Sequence, residues 1–410
     1  MTGRIVVVGA GVAGATAART LRTEGYSGEI VLLGAEDRLP YRRPMVSKEL
    51  LAGTANERRL LLESAESWRE LGIEVRPGTP VAGIDVDRDR LHLGTGETLG
   101  YDALVLATGA RARELPGPES GAYTLRTAAD VDALRAAVVT GGSLLVVGGG
   151  LVGCEAAATA RGLGAAVTIV HAGDAPLERV APAAIGAHCR NLHAGKGVDI
   201  HDAVVLDRID GGDGDIRAIA VDGRQWTAAA ILVAIGAEPE TEVARQAGLA
   251  VGDGILVDES YTTSAPNVFA TGDAAAVYDP EFGVHRRSEQ WNSAQSHGVA
   301  VAKSVLGQPL PAQEVTWGWT TQYGVTIQFA GRPHTEDDVV VRTTDTPGQF
   351  VALSLRAGRL VAAAAVGRPA DLRTARSLIA ARTTHAPETW SDTTIPLQEL
   401  ASATELSGHH

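Results

Sequence analysis

The chain has 410 residues, of which 45% are hydrophobic, and because this length exceeds what one core usually organises, two or three domains are expected. The formal net charge of −13 argues against a nucleic-acid partner, and no apolar run approaches the roughly 18 residues that a membrane-spanning helix needs. The two cysteines, Cys154 and Cys189, are too few for a disulfide framework, which favours a reducing cytoplasm.

The first predicted element is a buried strand that runs into a glycine turn and a helix. Residues 5–8 are a continuous β-branched run, as a parallel strand buried on both faces requires. Gly9, Gly11 and Gly14 follow at the GxGxxG spacing, which permits a tight turn, close approach to a pyrophosphate and close packing of the next helix. The unsatisfied N–H groups at the start of that helix favour an anion. The turn therefore predicts a phosphate-binding site.

A second parallel strand is predicted at Glu29–Leu33, and an acidic residue follows it. Glu36 lies about 20 residues beyond Gly14, where dinucleotide-binding folds place a carboxylate that accepts from a ribose hydroxyl. A glycine turn that binds nothing, or a secretory signal that begins at Arg4, would account for the first motif alone. The order and spacing of the strands, glycines, helix and acid together favour a dinucleotide site.

Between this motif and the middle of the chain, the sequence predicts a loop and several short elements. Pro40 and Pro44 predict a loop over residues 39–48, because proline resists helix. A buried strand that ends at Gly109 is expected to lie beside the first strand. The other predictions are a helix at 49–52, a helix ending at 68–71, strands at 73–76, 81–86 and 90–93, a linker at 113–121 and a helix at 128–138.

The glycine pattern occurs a second time in the chain. Residues 144–147 are again a buried apolar run, and Gly148, Gly150 and Gly153 repeat the spacing of the first motif. A helix at 154–162 and a strand at 166–171 are predicted next, and a later strand ends at Gly236 as the earlier one ends at Gly109. Two copies of the motif predict two dinucleotide sites in one chain.

The remaining sequence predicts a return to the first sheet and then a separate C-terminal region. Strands at 255–258 and 268–273 and a helix at 291–306 would complete the first domain. The C-terminal region predicts an α+β domain, with strands at 327–330, 339–342, 350–355 and 360–365 and a helix at 372–381. The polar sequence beyond residue 383 is expected to be irregular. The predicted fold class is α/β, with two Rossmann-like domains and an α+β C-terminal domain.

These motifs together resemble the FAD-dependent pyridine nucleotide-disulfide oxidoreductases. Within them, the chain is most similar to ferredoxin reductases of the putidaredoxin and rhodocoxin reductase type, which serve bacterial cytochromes P450 and ring-hydroxylating dioxygenases. The resemblance covers residues 4–382 and rests on both glycine motifs and on runs at 40–44, 47–48, 107–109, 125–127, 271–273 and 319–323. It implies a glutathione-reductase-like fold, with an FAD-binding domain at 1–113 and 240–314, an NAD(P)H-binding domain at 114–239 and a C-terminal domain at 315–410.

The resemblance implies an FAD site built on the first glycine motif and several later segments. The implied contacts are Gly9, Gly11, Ala13, Gly14, Glu36, Arg43, Lys48, Val81, Ala107, Thr108, Gly109, Arg126, Asp273 and Trp291. The family usually has an acid where this chain has Ala35, so either the ribose contact shifts to Glu36 or the loop runs differently.

The second motif is implied to hold the nicotinamide nucleotide. The implied contacts are Gly148, Gly150, Leu151, Val152, Gly153, Glu155, His171, Asp174 and Gly236. His171 stands where NADH-dependent relatives usually carry Glu, whose carboxylate accepts from the 2′-hydroxyl and repels a 2′-phosphate. Because Asp174 is able to supply the acid and no arginine is expected beside His171, NADH is favoured and NADPH stays open.

The implied activity is that of a ferredoxin–NAD(+) reductase: hydride passes from NAD(P)H to FAD, and single electrons then pass to a [2Fe–2S] ferredoxin. Lys48 is expected to stabilise the reduced flavin, Glu155 to contact the nicotinamide carboxamide and Trp319 to border the electron exit. The loop at 39–48 has no cysteine, so a thiol mechanism is not expected, and no metal site is expected. The protein is expected to be a cytoplasmic monomer or homodimer. A ferredoxin-docking face is expected to use Arg42, Arg43, Arg286, Arg287, Arg368, Arg373 and Arg376.

Two departures from the family leave the electron acceptor open. The run at 316–322 lacks the phenylalanine and the acid of the family, and Gly367 replaces an asparagine. One alternative is a flavin NAD(P)H oxidase or reductase that acts directly on oxygen, a quinone or a small substrate. Another is a flavoprotein whose redox state serves binding or signalling, as in relatives of apoptosis-inducing factor, which the lack of a targeting segment disfavours.

Overall fold

The structure is a computed structural model that describes residues 3–118, 121–211 and 216–405. Glu119 and Ser120, in the predicted linker, lie outside the described residues. The chain divides into two compact units, each with one glycine motif. The first unit is Met1–Met45, Ala55–Arg111 and Ala237–Glu314, and the second is Val46–Thr54, Ala112–Gly236 and Val315–His410.

A five-stranded parallel sheet forms the centre of the first unit. Its strands lie in the order Val268–Ala270, Ala103–Leu106, Arg4–Val8, Glu29–Leu33 and Ile73–Arg76. The four residues from Ile5 to Val8 are all buried, as expected for a strand covered on both faces. The order confirms that the strand before Gly109 returns beside the first strand, and it confirms the α/β fold class.

Two long helices of the first unit, Val12–Thr23 and Trp291–Val305, pack closely against each other. Their crossing leaves no room for a side chain at Gly298. A Cβ atom there would lie 2.5 Å from the carbonyl oxygen of Ala13 and 2.9 Å from the Cβ atom of Thr16. The close crossing therefore depends on glycine at this position.

Replacing Gly298 by alanine is expected to destabilise the protein by about 1–3 kcal/mol, because the two helix backbones must move apart. Thermal unfolding followed by circular dichroism measures the loss. Gln295→Ala, on an exposed position of the same helix, is the control and is expected to change stability by less than about 0.5 kcal/mol. Equal stability of the two variants would contradict the close crossing.

Smaller elements complete the first unit. Three antiparallel strands are Val81–Asp85, Arg90–Leu93 and Thr98–Gly100, and a four-stranded sheet contains Val251–Gly252, Gly254–Val257, Ala275–Asp279 and Val284–Arg286. The short helices are Arg43–Met45, Glu57–Leu60, Ala65–Glu70, Glu242–Gln246 and Gly272–Ala274. Short strands at Ala110–Ala112 and Ala237–Pro239 lie where the chain changes units.

The second unit has its own parallel sheet around the second glycine motif. Its order is Asp199–His201, Ala166–Val170, Ser143–Val147, Ala230–Val233 and Ala122–Tyr123. Its helices are Ala129–Gly141, Leu151–Gly162 and Ala183–Ala194, and an antiparallel sheet adds Leu206–Gly211, Ile216–Ala220 and Gln225–Ala228. Val46–Leu50 forms a π-helical turn, so the loop predicted over residues 39–48 extends too far. Its last proline is Pro44, and the residues after it are able to form a helical turn.

The C-terminal part of the second unit is an antiparallel sheet covered by the helix Pro369–Ala380. The strand order is Trp317–Gln322, Val325–Gly331, Arg359–Val366, Phe350–Arg356 and Asp338–Thr343. The prediction of irregular chain beyond residue 383 is wrong, since helical segments Pro387–Ser391 and Leu397–Glu405 follow. Trp390 is fully buried and its indole N–H donates to the carbonyl of Gly358 at 2.9 Å. Trp390, Leu397 and Leu400 are buried in the core of this sheet, so a few widely spaced apolar residues anchor the polar segment beyond residue 383.

No helix in the described ranges combines the length and the apolar character that crossing a membrane requires.

Candidate functional site

The first glycine turn is tightly packed at both ends and open in its middle. Gly9 has a φ angle of +112°, and a Cβ atom there would lie 2.0 Å from the carbonyl oxygen of Ala107. A Cβ atom on Gly14 would lie 2.0 Å from the carbonyl oxygen of Gly9. Gly11 precedes the helix Val12–Thr23 without a side-chain cap, and a Cβ atom there would meet nothing within 4 Å. The helix N-terminus therefore faces open space, which fits the pyrophosphate of a dinucleotide.

The second glycine turn has the same construction. Gly148 has a φ angle of +118°, and its Cβ atom would lie 2.2 Å from the carbonyl oxygen of Ala234. A Cβ atom on Gly153 would lie 2.1 Å from the carbonyl oxygen of Gly148. At Gly150, before the helix Leu151–Gly162, a Cβ atom would meet nothing within 4 Å. Leu151 and Val152 supply the first backbone N–H groups of this helix, so each unit contains one open helix N-terminus.

Glu36 lies three residues beyond the strand Glu29–Leu33 of the first unit, in contact with two side chains. Its Oε2 atom accepts from the hydroxyl of Tyr41 at 2.7 Å, and its Oε1 atom pairs with Arg43 at 2.7 Å. Burial lowers the pKa of Arg43, but the charges of Tyr41, Glu36 and Asp273 outweigh that effect and raise it overall. The structure thus brings together Glu36, Arg43 and Asp273, which were predicted from separate segments.

The segment after the strand Ala103–Leu106 is held in place by backbone contacts. The Thr108 hydroxyl donates to the carbonyl of Glu240 at 2.6 Å, and the Glu240 N–H donates to the carbonyl of Gly109 at 2.9 Å. Ala107 is buried directly behind Gly9. These contacts keep the carboxyl edge of the sheet close to the glycine turn.

The other predicted residues of the first unit lie on three separate elements. Val81 begins the strand Val81–Asp85. Asp273 lies in the single turn Gly272–Ala274, and its carbonyl accepts from Arg287 at 3.1 Å. Trp291 begins its helix and lines a cavity of about 150 Å³.

In the second unit, Glu155 lies at the centre of a polar cluster. Its side chain is mostly buried, and its Oε2 atom accepts from the Ser47 hydroxyl and pairs with Lys48 Nζ at 2.7 Å. Its Oε1 atom accepts from the Thr320 hydroxyl at 2.9 Å. Gln322 Nε2 in turn donates to the Thr320 oxygen at 3.3 Å. The structure therefore joins Lys48 and Glu155, and it adds Ser47 and Thr320, whose roles the sequence did not indicate.

Trp319 lies next to Thr320 but faces the other side of the strand Trp317–Gln322. Burial alternates along this strand, with Thr320 and Gln322 buried and the two tryptophans half-buried. The rings of Trp317 and Trp319 have centroids 6.0 Å apart, and the Arg376 guanidinium lies 4.7 Å from the centroid of Trp317. Trp319 is therefore part of an aromatic and basic surface, not of the Glu155 cluster.

His171 lies at the end of the second strand of its sheet and contacts a carboxylate that the sequence did not indicate. Its Nε2 atom lies 2.6 Å from Asp202 Oδ1, and Arg190 pairs with Asp202 Oδ2. A Cβ atom on Gly149 would lie 2.9 Å from the His171 ring. The expectation that no arginine lies near His171 is wrong, because the helix Ala183–Ala194 brings Arg190 to the same carboxylate.

Asp174 and Gly236, predicted for the nicotinamide site, and Arg126, predicted for the FAD site, lie on loops of the second unit. The Asp174 N–H donates to Glu178 at 2.9 Å, and the Asp174 carbonyl accepts from Arg190 at 3.3 Å. The backbone N–H of Arg126 donates to Asp130 at 2.8 Å. Gly236 has a φ angle of +111°, a conformation that favours glycine. Asp174 thus lies beside Arg190 through its backbone.

Several arginines predicted for a docking face already have partners within their own unit. The Arg287 side chain is only 9% exposed and pairs with Glu289 at 2.8 Å. Arg43 is held by Glu36, as described above. Arg368 pairs with Asp371 at 2.6 Å. Arg43 and Arg287 are therefore the weakest candidates for contact with an acidic protein.

The chain is similar to known proteins over nearly its whole length. The family described as pyridine nucleotide-disulphide oxidoreductase matches residues 3–298, and the domain described as reductase C-terminal matches residues 317–401. The ferredoxin–NAD(+) reductase subunit of the benzene 1,2-dioxygenase system of Pseudomonas putida is 39% identical, with 99% of each chain covered. The corresponding component of the biphenyl dioxygenase system of Paraburkholderia xenovorans is 40% identical over 98% of this chain and 99% of that protein. In the crystal structure of the covalent putidaredoxin reductase–putidaredoxin complex, one chain matches with a TM-score of 0.92 at 30% identity, with 99% of both chains covered.

Proposed function

The chain belongs to the pyridine nucleotide-disulphide oxidoreductase family, and from that membership we propose that it is the ferredoxin reductase of an oxygenase system. The family implies FAD and a nicotinamide nucleotide as cofactors. When bound, FAD would supply two capacities: acceptance of a hydride from the nicotinamide nucleotide and release of single electrons to a [2Fe–2S] ferredoxin. The two named relatives are ferredoxin–NAD(+) reductase components of dioxygenase systems, which supports this choice of acceptor.

The observation that carries the proposal is the pair of glycine turns with open helix N-termini. A Cβ atom at either Gly11 or Gly150 would meet nothing within 4 Å, whereas the flanking glycines are closely packed. We assign FAD to the first turn, in a domain at 1–113 and 240–314, and the nicotinamide nucleotide to the second, in a domain at 114–239. Residues 315–410 form the C-terminal domain in this assignment. Cys154 and Cys189 do not form a disulfide, which supports a cytoplasmic location.

Glu155 is proposed to orient the nicotinamide ring. A carboxylate offers about four acceptor positions, and Ser47, Lys48 and Thr320 occupy three of them. One position on Oε1 is left for the carboxamide N–H of the nucleotide. Because three groups already fix the position of the Glu155 side chain, that side chain would lose little conformational freedom when the nucleotide binds. The contact of Lys48 with the flavin stays a prediction.

NADH is the proposed nucleotide because of Asp202. Its carboxylate lies at the carboxyl end of the sheet beside His171, where a ribose hydroxyl is bound in this fold. Arg190 is paired with Asp202, so its guanidinium is not available to bind a 2′-phosphate. Asp202 therefore accepts from a free 2′-hydroxyl and repels the phosphate of NADPH.

Asp202→Asn is expected to raise kcat/KM for NADPH by about tenfold and to lower it for NADH, because Arg190 and His171 are released toward the phosphate. Steady-state kinetics with both nucleotides measure the ratio. The matched control is Asp199→Asn, on the strand that ends directly before Asp202, whose carboxylate pairs with His201 at the surface. An equal ratio of kcat/KM for NADPH and NADH in the two variants would show that Asp202 does not determine the nucleotide preference.

The activity is tested by oxidation of NADH by the flavin-loaded protein, in air and anaerobically, with and without a [2Fe–2S] ferredoxin coupled to cytochrome c. Anaerobic cytochrome reduction that requires ferredoxin is expected, with slow oxygen use. Rapid oxygen consumption that ferredoxin does not change would contradict the proposal and identify an oxidase. Flavin reduction without turnover on either acceptor would also contradict it.

A further inference from the structure

A cluster of two cysteines and one histidine lies in the interior of the second unit. Cys154 and Cys189 have Sγ atoms 3.9 Å apart. One donor atom from each of Cys154, Cys189 and His193 lies within 4.8 Å of the others, and all three residues are buried. The proposed electron-transfer reaction uses none of these side chains, and the spacing of the cysteines in sequence did not indicate that they meet.

The helix geometry places the three donors together. Cys189 and His193 are four residues apart on the helix Ala183–Ala194, so both project from one face. Cys154 comes from the helix Leu151–Gly162, at a position that is fully buried. A Cys-x₃-His pair on one helix with a further Cys opposite is a donor set that suits zinc.

We propose that Cys154, Cys189 and His193 form a structural site for a thiophilic divalent cation, Zn²⁺, with Gln322 as the fourth donor. Two thiolates bound at about 2.3 Å in a tetrahedron lie about 3.8 Å apart, which matches the observed Sγ–Sγ distance. Gln322 Oε1 lies 3.2 Å from Cys189 Sγ and 2.9 Å from His193 Nε2. A small shift of these donors toward their common centre completes four-coordination.

The surroundings of the cluster support the same assignment. The Tyr323 hydroxyl lies 3.0 Å from His193 Nδ1, and this contact holds the ring with Nε2 toward the cysteines. At metal sites, groups behind a ligating histidine commonly orient its ring in this way. Two thiolates and one dication sum to zero charge, so no net charge is buried. A bound dication lowers the pKa of both thiols, so it would bind them as thiolates.

The cation would link two helices to the C-terminal sheet. Gln322 ends the strand Trp317–Gln322, and its Nε2 atom reaches Thr320, which donates to Glu155. Because the three principal donors are fully or nearly fully buried, the cation would enter as the protein folds. The site therefore stabilises the fold and does not depend on the proposed electron-transfer activity.

Metal analysis of the flavin-loaded protein, expressed with added zinc and washed with a chelator, tests the proposal. We expect about one zinc per chain in the wild type and at least a fivefold lower content in Cys154→Ser and in His193→Gln. The control is His201→Gln, whose ring lies 2.8 Å from Asp199 at the surface. It is expected to keep the full zinc content. Wild-type protein that holds less than a tenth of an equivalent, or zinc that persists in both ligand variants, would overturn the proposal.

Cobalt spectroscopy keeps the test valid if the variants fail to fold. Wild-type protein expressed with Co²⁺ in place of zinc is expected to show tetrahedral cobalt bands at wavelengths beyond the flavin absorption. Titration of thiols in the denatured protein then reports whether the two cysteines are reduced or joined in a disulfide. Absence of the cobalt bands would overturn the assignment, and so would a disulfide in place of two titratable thiols.

Discussion

Gly150→Val is expected to remove most nicotinamide-nucleotide binding and to leave the fold and the flavin unaffected. Gly150 has an extended conformation, with φ −80° and ψ −172°, so any residue fits its backbone. A Cβ atom there would meet nothing within 4 Å. The valine side chain instead fills the space before the helix Leu151–Gly162, where we place the pyrophosphate. Stopped-flow flavin reduction is expected to show a loss of about a hundredfold in the second-order rate with NADH, or ~2.7 kcal/mol.

The matched control for this variant lies on the same helix. Gly162→Ala also adds a Cβ atom that meets nothing within 4 Å, but at the far end of the helix. It is expected to keep wild-type kinetics and to gain stability of up to about 1 kcal/mol from helix propensity. Gly11→Val, the same change at the first turn, is expected to lose flavin. Unchanged nucleotide kinetics in Gly150→Val, or loss of its flavin absorbance, would contradict the assignment of the two turns.

Lys48→Met is expected to destabilise the protein by about 3 kcal/mol. Glu155 is only 5% exposed, and Lys48 Nζ, 2.7 Å from its Oε2 atom, is the cation that balances it. The hydroxyls of Ser47 and Thr320 remain in the variant, but they supply no compensating charge. Removing one member of a buried ion pair is costly for this reason. Chemical denaturation, with flavin fluorescence and circular dichroism as probes, measures the free energy of unfolding.

A double-mutant cycle separates the ion pair from other effects of the substitution. Lys48→Met combined with Glu155→Leu removes both charges, so it is expected to be less destabilised than Lys48→Met alone. The exposed pair Arg245 and Glu242 serves as the control, and Arg245→Met is expected to cost less than about 0.5 kcal/mol. Strictly additive losses in the cycle would show that Lys48 and Glu155 do not stabilise each other.

Both glycine turns could be predicted from the sequence because their constraints are local. A buried strand, three glycines and a helix occupy about 20 consecutive residues, and each glycine has its own steric reason. The structure has those close approaches at Gly9, Gly14, Gly148 and Gly153. The return of the strand before Gly109 to the first sheet was predictable for the same reason, since a continuous apolar run fits a strand covered on both faces.

The partners of the site residues depend on contacts between distant segments. Thr320 and Ser47 reach Glu155 from positions 165 and 108 residues away in the chain. Asp202 and Arg190 meet His171 through a neighbouring strand and a helix. A single hydrogen bond between distant residues leaves no periodic pattern in sequence, so these partners were not predicted.

The sequence by itself determined the fold class and the position of both glycine turns, because backbone sterics and hydrophobic periodicity act over short stretches. The family followed from the resemblance of its motifs to known reductases. Only the tertiary structure decided which polar groups surround Glu155 and His171, and that Cys154 and Cys189 meet beside His193. It also decided that Trp390 anchors the C-terminal segment. Each of these contacts forms between side chains that the packing of separate elements brings together. The free energy of burying a polar or aromatic group depends on its neighbours in space, and sequence distance does not show those neighbours.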